Sequence, residues 1–296
     1  MSVTKKTSGD RIFSIFNISL LTAISIIILY PLIYMVSASF SDPEAVIQGK
    51  VVLLPVKFNI DAYLRVLKNP DILIGYRNTV LYTTVGVIVN IIMTTFAAYP
   101  LSRKNFYGRN VITMFITFTM FFNAGLIPNY LVITQLGLRD NFWVMIFPGA
   151  ITVMNLIIMR TFFQNSIPEE LYEAAFTDGC TNIQALFKIV LPLSKPVLAV
   201  MVLFYGVMHW NSFFNALIYL TDRQKYPLQI ILREILIQSK MQDMMESSSE
   251  AVYRQQLLYE TLKFAVIVVS SLPMLAIYPI IQRYFVKGVM IGAIKG

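Results

Sequence analysis

Apolar and polar positions in this chain separate into long blocks instead of alternating every two or four residues. Six blocks contain no Asp, Glu, Lys or Arg: 12–41, 78–102, 110–138, 141–159, 196–221 and 264–282, of 30, 25, 29, 19, 26 and 19 residues. About 20 apolar residues of α-helix cross the hydrocarbon core of a bilayer, and a helix satisfies its own backbone there. Each block is expected to span once, which predicts an all-α, polytopic membrane protein with six transmembrane helices. The apolar run of the first block exceeds the roughly 7–15 residues of a secretory h-region, so it reads as a retained anchor.

Composition supports this. Mean hydropathy is +0.65, 56% of residues are hydrophobic and only 14% are charged. The formal net charge of +8 fits basic flanks beside anionic headgroups better than nucleic acid, which is not expected as a partner. Cys180 is the single cysteine, so no internal disulfide can form. An even number of spans puts both termini on one side. Lys5, Lys6 and Arg11 before the first block, Arg103, Lys104 and Arg109 in the short link after the second, and Arg283, Lys287 and Lys295 at the end favour a cytoplasmic location for both. Total basic residues divide evenly between the two sides, so only the short links and the first flank decide.

No block holds a carboxylate. Ion-coupled carriers usually keep one at membrane depth to bind the driving ion, so a secondary transporter of a small polar solute is the weaker alternative. No GxxxxGK[ST] phosphate loop occurs, and His209 and Cys180 give no metal-ligand spacing. An intramembrane enzyme would need a catalytic pair to which only His209 could contribute. These residues thus give no sign of an enzyme, or of a cofactor or metal bound by the chain itself.

Polar groups do occur at membrane depth: Asn90, Asn123, Asn155, His209, Asn211, Ser212 and Asn215, with Trp210 beside them. Singly, each can be a hydrogen bond between helices, and His209 in particular fits a buried interhelical group. Clustered, the amides and the aromatic ring suit a sugar, which makes these eight residues the candidate translocation path.

Residues 166–192 interrupt the apolar pattern with four acidic side chains. Ser166 and Glu169 have capping-box spacing with Pro168 between them, predicting a helix from about Ile167. Gly179 fits its stop. Thr181 and Gln184 make a second box, with Ile183, Leu186, Phe187 and Val190 at helical spacing after it and Leu191-Pro192 closing it. The outer segment 222–263 has Leu228, Ile231, Leu232, Ile235 and Leu236 at helical spacing, so an amphipathic helix along the membrane surface or a partner is expected. "MESSSEA" (245–251) reads as a turn.

Glu173-Ala174-Ala175, three residues, Gly179, nine residues, Ile189-x-Leu191-Pro192 matches the EAA loop, EAA-x3-G-x9-I-x-LP, in full. The chain thereby resembles the integral-membrane permease subunits of bacterial ABC importers. From about residue 75 onward it is similar to the carbohydrate-uptake branch, particularly the tail-bearing subunit of maltose-type importers: "WNSFFNALIYL" resembles that branch's fifth span and "QRYFVKGVMIGAIKG" its end. The stretch from Gly125 to Ala175 looks like permeases for oligosaccharides released from uronate polysaccharides such as alginate or pectin.

The resemblance implies a type I ABC importer permease fold in the bacterial inner membrane. Residues 1–74 would hold a cytoplasmic segment, the first span and an outer loop, and 75–296 the five-span core with coupling loop 166–192 and outer loop 222–263. It further implies that Glu173, Ala174, Ala175, Asp178, Gly179, Ile189, Leu191 and Pro192 engage a separate ATPase, with Lys287, Gly288, Lys295 and Gly296 forming an ATPase-contacting tail. The implied partners are a second homologous permease, two cytoplasmic ATPase subunits carrying ATP and Mg, and an extracytoplasmic solute-binding protein that delivers an oligosaccharide. The outer loop would touch that binding protein.

Overall fold

The computed structural model of the protein describes residues 8–122, 124–243 and 250–293, which form helices and turns with no strand among them. In chain order the α-helices are α1 (Ser8–Ser39), α2 (Pro43–Ile47), α3 (Asp61–Lys68), α4 (Pro70–Ser102), α5 (Arg109–Phe121), α6 (Leu126–Gln135), α7 (Val153–Ser166), α8 (Glu169–Thr177), α9 (Asn182–Ala185), α10 (Leu191–Leu193), α11 (Lys195–Trp210), α12 (Phe214–Tyr219), α13 (Leu228–Asp243) and α14 (Glu250–Ala293). Three of them contain uninterrupted segments long and apolar enough to cross a membrane: Gly9–Ser39, Pro70–Ser102 and Tyr259–Pro279. Three more candidates are bent pairs. Arg109–Phe121 is followed by Leu126–Gln135, Phe142–Gly149 by Val153–Ser166 at 55°, and Asn182–Leu193 by Lys195–Trp210 at 82°. Six spans result when each pair is counted once.

The chain divides into two compact units, Met1–Asn69 with Leu232–Ser270, and Pro70–Ile231 with Ser271–Gly296. In the first, α1 leaves Ile12, Phe16, Ile27 and Leu29 open to the surroundings, as a lipid-facing helix must. Its end is the packed part. Ala38 meets Ala45, Val46 and Val51 with Tyr34, Val56 and Phe264 around them. Phe40 stacks on Phe58 and Tyr63, and the Tyr63 hydroxyl lies 2.7 Å from Ser39 Oγ.

In the second unit α4 is the hub, packed against α7 and α11. Its buried positions include Gly75, Thr79, Gly86, Asn90, Thr94, Ala98 and Ser102, an approximately four-residue ladder of small and polar side chains. Its exposed positions include Leu73, Val80, Leu81, Ile88, Ile92, Met93 and Phe96. This inverts the pattern of a soluble helix, because hydrocarbon supplies no hydrophobic drive between helices and small residues permit close contact. Thr94 Oγ1 lies 2.7 Å from the Tyr205 hydroxyl of α11, and Thr95 donates to the Met159 sulfur of α7 at 3.5 Å. Around these bonds Ala98, Leu156, Met159, Phe163, Val197, Met201 and Tyr205 close a buried core.

Several sequence expectations are corrected. The third block is two helices, α5 and α6, with Gly125 in the left-handed region (φ 88°) opening the second. The fourth becomes helical only at Val153, after two 3₁₀ turns over Phe142–Met145 and Phe147–Gly149. The fifth is not one helix over 196–221. It stops at Trp210, where Asn211 Nδ2 donates to Val207 O and Ser212 N to His209 O, and resumes as the short α12. Amide side chains compete for backbone carbonyls, and a broken helix is tolerated where it lines a cavity. The last span lies inside the 44-residue α14, so its helix begins well before the charge-free block. The amphipathic helix of the outer segment exists as α13, but Leu228, Ile231, Leu232 and Ile235 are buried within this chain rather than laid on a membrane surface. Gly75 allows this, since a Cβ there would lie 3.1 Å from Leu228 Cα. Of the predicted turn at 245–251, residues 245–249 lie outside the described residues and α14 has begun by Glu250.

The segment 221–228 is fastened by polar bonds. Asp140, at φ 54°, accepts from Thr221 N and Asp222 N, and Lys225 Nζ donates to its carboxylate at 2.9 Å and its carbonyl at 2.8 Å. Asn78 Nδ2 donates to Gln224 O and Tyr226 O, and Leu228 N donates to Thr79 Oγ1. The Lys225 hydrogen bond and then the two backbone N–H groups hold the Asp140 carboxyl down at about 2. A carboxyl depressed in the folded state stabilises above its unfolded pKa, near 3.9, and loses that contribution as pH falls through its folded value. Thermal unfolding of the detergent-solubilised protein should therefore give a constant D140N deficit from pH 8 to 5 that shrinks between about pH 4 and 2. A deficit independent of pH across that window would exclude the clamp.

Candidate functional site

The loop after α7 is built from local signals. Ile167 and Pro168 are extended, which separates α7 from α8. The predicted Ser166–Glu169 capping box does not form: Ser166 is the last residue of α7, Pro168 is the N-cap of α8, and no side chain caps it. Glu169 is taken by a stronger partner, the Arg103 guanidinium at the end of α4, 2.8 Å away. An ion pair with both groups half to mostly buried outweighs a neutral hydroxyl cap. Arg103 also lies 3.5 Å over the Tyr172 ring, and Tyr172 is only 2% exposed. Burial pushes the Tyr172 phenol up, and the neighbouring Arg103 charge opposes it.

Helix α8 ends in a Schellman arrangement. Cys180 N donates to Ala175 O and Gly179 N to Phe176 O, with Gly179 at φ 78°. A Cβ on Gly179 would meet nothing within 4 Å, so the glycine is there for its dihedral angle alone. The second capping box forms as expected: Thr181 N donates to Gln184 Oε1 at 2.9 Å, and Gln184 N to Thr181 Oγ1 at 3.3 Å. The helix then widens into a π turn over Leu186–Val190 before α10. The predicted apolar stripe splits there. Leu186 and Val190 enter the core with Tyr172, while Ile183 and Phe187 remain 65% and 53% exposed.

The remaining loop residues follow from this anchoring. Glu173, Ala174, Asp178 and Gly179 are exposed, Ala175 is buried, and Ile189, Leu191 and Pro192 sit where the second helix turns toward α11. Two short helices are thus fastened to the end of α4 by one ion pair and by the Arg103 guanidinium over the Tyr172 ring. Lys287 and Gly288 of the predicted tail fall within α14, and Lys295 and Gly296 lie outside the described residues.

The candidate path residues divide into three groups. Asn90 is fully buried; its Nδ2 donates to Gly149 O at 2.8 Å, and its Oδ1 accepts from His209 Nε2 at 3.2 Å, which makes Nε2 the protonated ring nitrogen. The His209 ring fills the space above Gly86, where a Cβ would collide with it. His209, Ser212 and Asn215 line an open cleft of ≈ 670 Å³ together with Asn129, Phe147, Phe214 and Tyr219. Trp210 and Asn211 do not line it. Trp210 packs edge-on to Tyr76, and the Asn211 amide is held by Val207 O and Gln229. Asn155 is buried in the first turn of α7, and Asn123 lies outside the described residues. Two functional features escaped the sequence reading. Asn129 met the same criterion as its neighbours, an amide inside a charge-free block, and the Arg103–Glu169 pair joins residues 66 positions apart that no local pattern links.

Apolar helices with a polar cleft, a broken span beside it and a capped pair of short helices after α7 are the features of a membrane permease, a subunit that conducts a solute. The chain belongs to the family described as binding-protein-dependent transport system inner membrane component, whose model matches residues 72–291. Over 289 residues it is 41% identical to the polygalacturonan/rhamnogalacturonan transport system permease protein YtcP of Bacillus subtilis (strain 168), covering 97% of this chain and 99% of that one. It is 40% identical over 290 residues to protein LplC of the same organism, covering 98% and 97%. Among solved structures it resembles a chain of a bacterial ABC transporter involved in the import of the acidic polysaccharide alginate, with TM-score 0.86, 38% identity and coverage of 96% of this chain and all of that one. The protein is thus a membrane-embedded ABC importer permease with the type I fold.

Two substitutions check this geometry. R103Q leaves Glu169 without its partner and should lower the melting temperature of the solubilised permease by about 4–8 °C, while R103Q/E169Q recovers part of the loss; equal melting points for wild type and R103Q would refute the weld. G86A should displace His209 and cost about 1–3 kcal/mol, read by denaturant or thermal unfolding. A neutral result at Gly86 would mean the ring has another resting place.

Proposed function

We propose that this chain forms half of the translocation path for an acidic oligosaccharide derived from a uronate polysaccharide, driven by ATP hydrolysis in separate subunits. The observation that carries the reading is the loop 166–192: a full EAA pattern folded as a rigid pair of helices, anchored inward through Tyr172, Leu186 and Val190, with Glu173 and Asp178 left outward. Those exposed carboxylates suit a basic cleft on a cytoplasmic ATPase. Two such subunits, carrying ATP and Mg, would pull the loop as they close, and the Arg103 weld would pass the motion to α4. The reading puts the loop and both termini in the cytoplasm, with the α14 end and residues 287–296 against the ATPase.

A second homologous permease completes the path, and an extracytoplasmic binding protein delivers the sugar to the clamped segment around 221–228. The cleft holding His209, Ser212, Asn215 and Asn129 supplies amide, hydroxyl and ring contacts for sugar hydroxyls, and the Asn90–His209 bond fixes its wall. The uronate class rests on the relatives for polygalacturonan and alginate at 41% and 38% identity.

In proteoliposomes containing both permeases, the ATPase and the binding protein, uptake of trigalacturonate should require ATP. Replacing Glu173 by Ala together with Gly179 by Val should cut it at least about tenfold through lost docking and a strained left-handed residue. Undiminished uptake in the double variant, or uptake without the ATPase, would overturn the assignment.

A further inference from the structure

The described cleft leaves one intramembrane-edge cation unexplained. Arg160 lies on α7 immediately after the charge-free block ends at Met159, six residues before the helix stops at Ser166. Its Nε donates to Leu101 O at 3.0 Å, one of the last carbonyls of α4, which lack an intrahelical partner. That bond uses one of the five N–H groups of the guanidinium. The side chain lines an open groove of ≈ 480 Å³ formed with α5. Arg109, at the start of α5, is close enough for its charge to act on Arg160. Among the described residues no carboxylate pairs with either arginine.

The α5 wall of this groove mixes polar and aromatic side chains. Asn110, Thr113 and Thr117 recur at i, i+3 and i+7 and line it together with Met114, Phe118 and Phe121, and the Thr113 hydroxyl donates to Arg109 O at 2.6 Å while its lone pairs stay available. A row of an amide and two hydroxyls climbing from a cation is what a sugar acid needs: a carboxylate at the arginine and ring hydroxyls along the stripe. A lipid headgroup shares the anion, and its acyl chains could lie along Met114, Phe118 and Phe121, so the lipid composition of the vesicles is what separates the two sources. Unpaired charge at the edge of hydrocarbon is costly and is retained where it meets a ligand.

We propose that this groove is a second subsite on the path, at the end of the bundle bearing the coupling loop, in which Arg160 holds a uronate carboxylate and Asn110, Thr113 and Thr117 bind its hydroxyls. The subsite rests on the acidic-oligosaccharide reading above. The guanidinium, with its forked donors, meets the carboxylate as it leaves the upper cleft.

The test uses the complete importer, with both permeases, ATPase and binding protein, in vesicles of phosphatidylcholine alone and of phosphatidylcholine with phosphatidylglycerol. Trigalacturonate uptake should fall about tenfold in R160Q, the worth of one charge-assisted contact, in both kinds of vesicle, and R160K should recover most of it. Unchanged uptake in R160Q, or equal losses in R160Q and R160K, would overturn the subsite, the latter because it marks a purely structural hold on Leu101 O. A deficit confined to vesicles with phosphatidylglycerol would assign the arginine to headgroups and also overturn it. Wild-type importer that carries neutral oligosaccharides but no trigalacturonate would remove the underlying reading and the subsite together, whereas the other outcomes leave that reading standing.

Discussion

The packing of α4 is the constraint on which the rest of the Pro70–Ile231 segment depends. A helix in hydrocarbon gains nothing from burying leucine, so what holds α4 to its neighbours is close approach at Gly75 to α13, at Gly86 to α11 and at Ala98, with hydrogen bonds from Asn90 and Thr94. That ladder puts bulk outward and polarity inward. It brings the His209 ring against Gly86, sets Gly149 O within reach of Asn90, and fixes the cleft wall from which Ser212 and Asn215 project.

The same helix carries both ends of the transport device. At its start Asn78 and Thr79 grip the 221–228 segment, and at its end Arg103 grips α8. A single 33-residue helix thus joins two polar clamps, one on the 221–228 segment and one on α8. Coupling in such a design needs few moving joints, and the breaks at Asn211–Phe213 and before Val153 are where the backbone already departs from regular helix. Both border the cleft, which is where an irregular backbone can find polar partners or water at membrane depth.

Membership of the binding-protein-dependent permease family accords with a chain of apolar helices around a polar cleft. Its relatives include permeases for polygalacturonan and rhamnogalacturonan and a chain of an alginate importer.

The sequence by itself determined what depends on neighbours along the chain. The Thr181–Gln184 box and the left-handed Gly179 follow from residues within a few positions of one another and both are present in the fold, while the charge-free blocks mark where the apolar helices lie but not where three of them break. Polar partnerships across the bundle depended on tertiary structure. Ser166 and Glu169 have the spacing of a cap, yet Arg103, 66 residues from Glu169, claims the carboxylate because a partly buried ion pair outweighs a neutral cap. Trp210 and Asn211 look like path residues in a row with His209 and Ser212, but helical rotation turns them toward Tyr76 and Gln229 while their neighbours face the cleft. Local spacing sets which helices form; which side of each helix meets a neighbour, a ligand or lipid is settled only when distant segments pack.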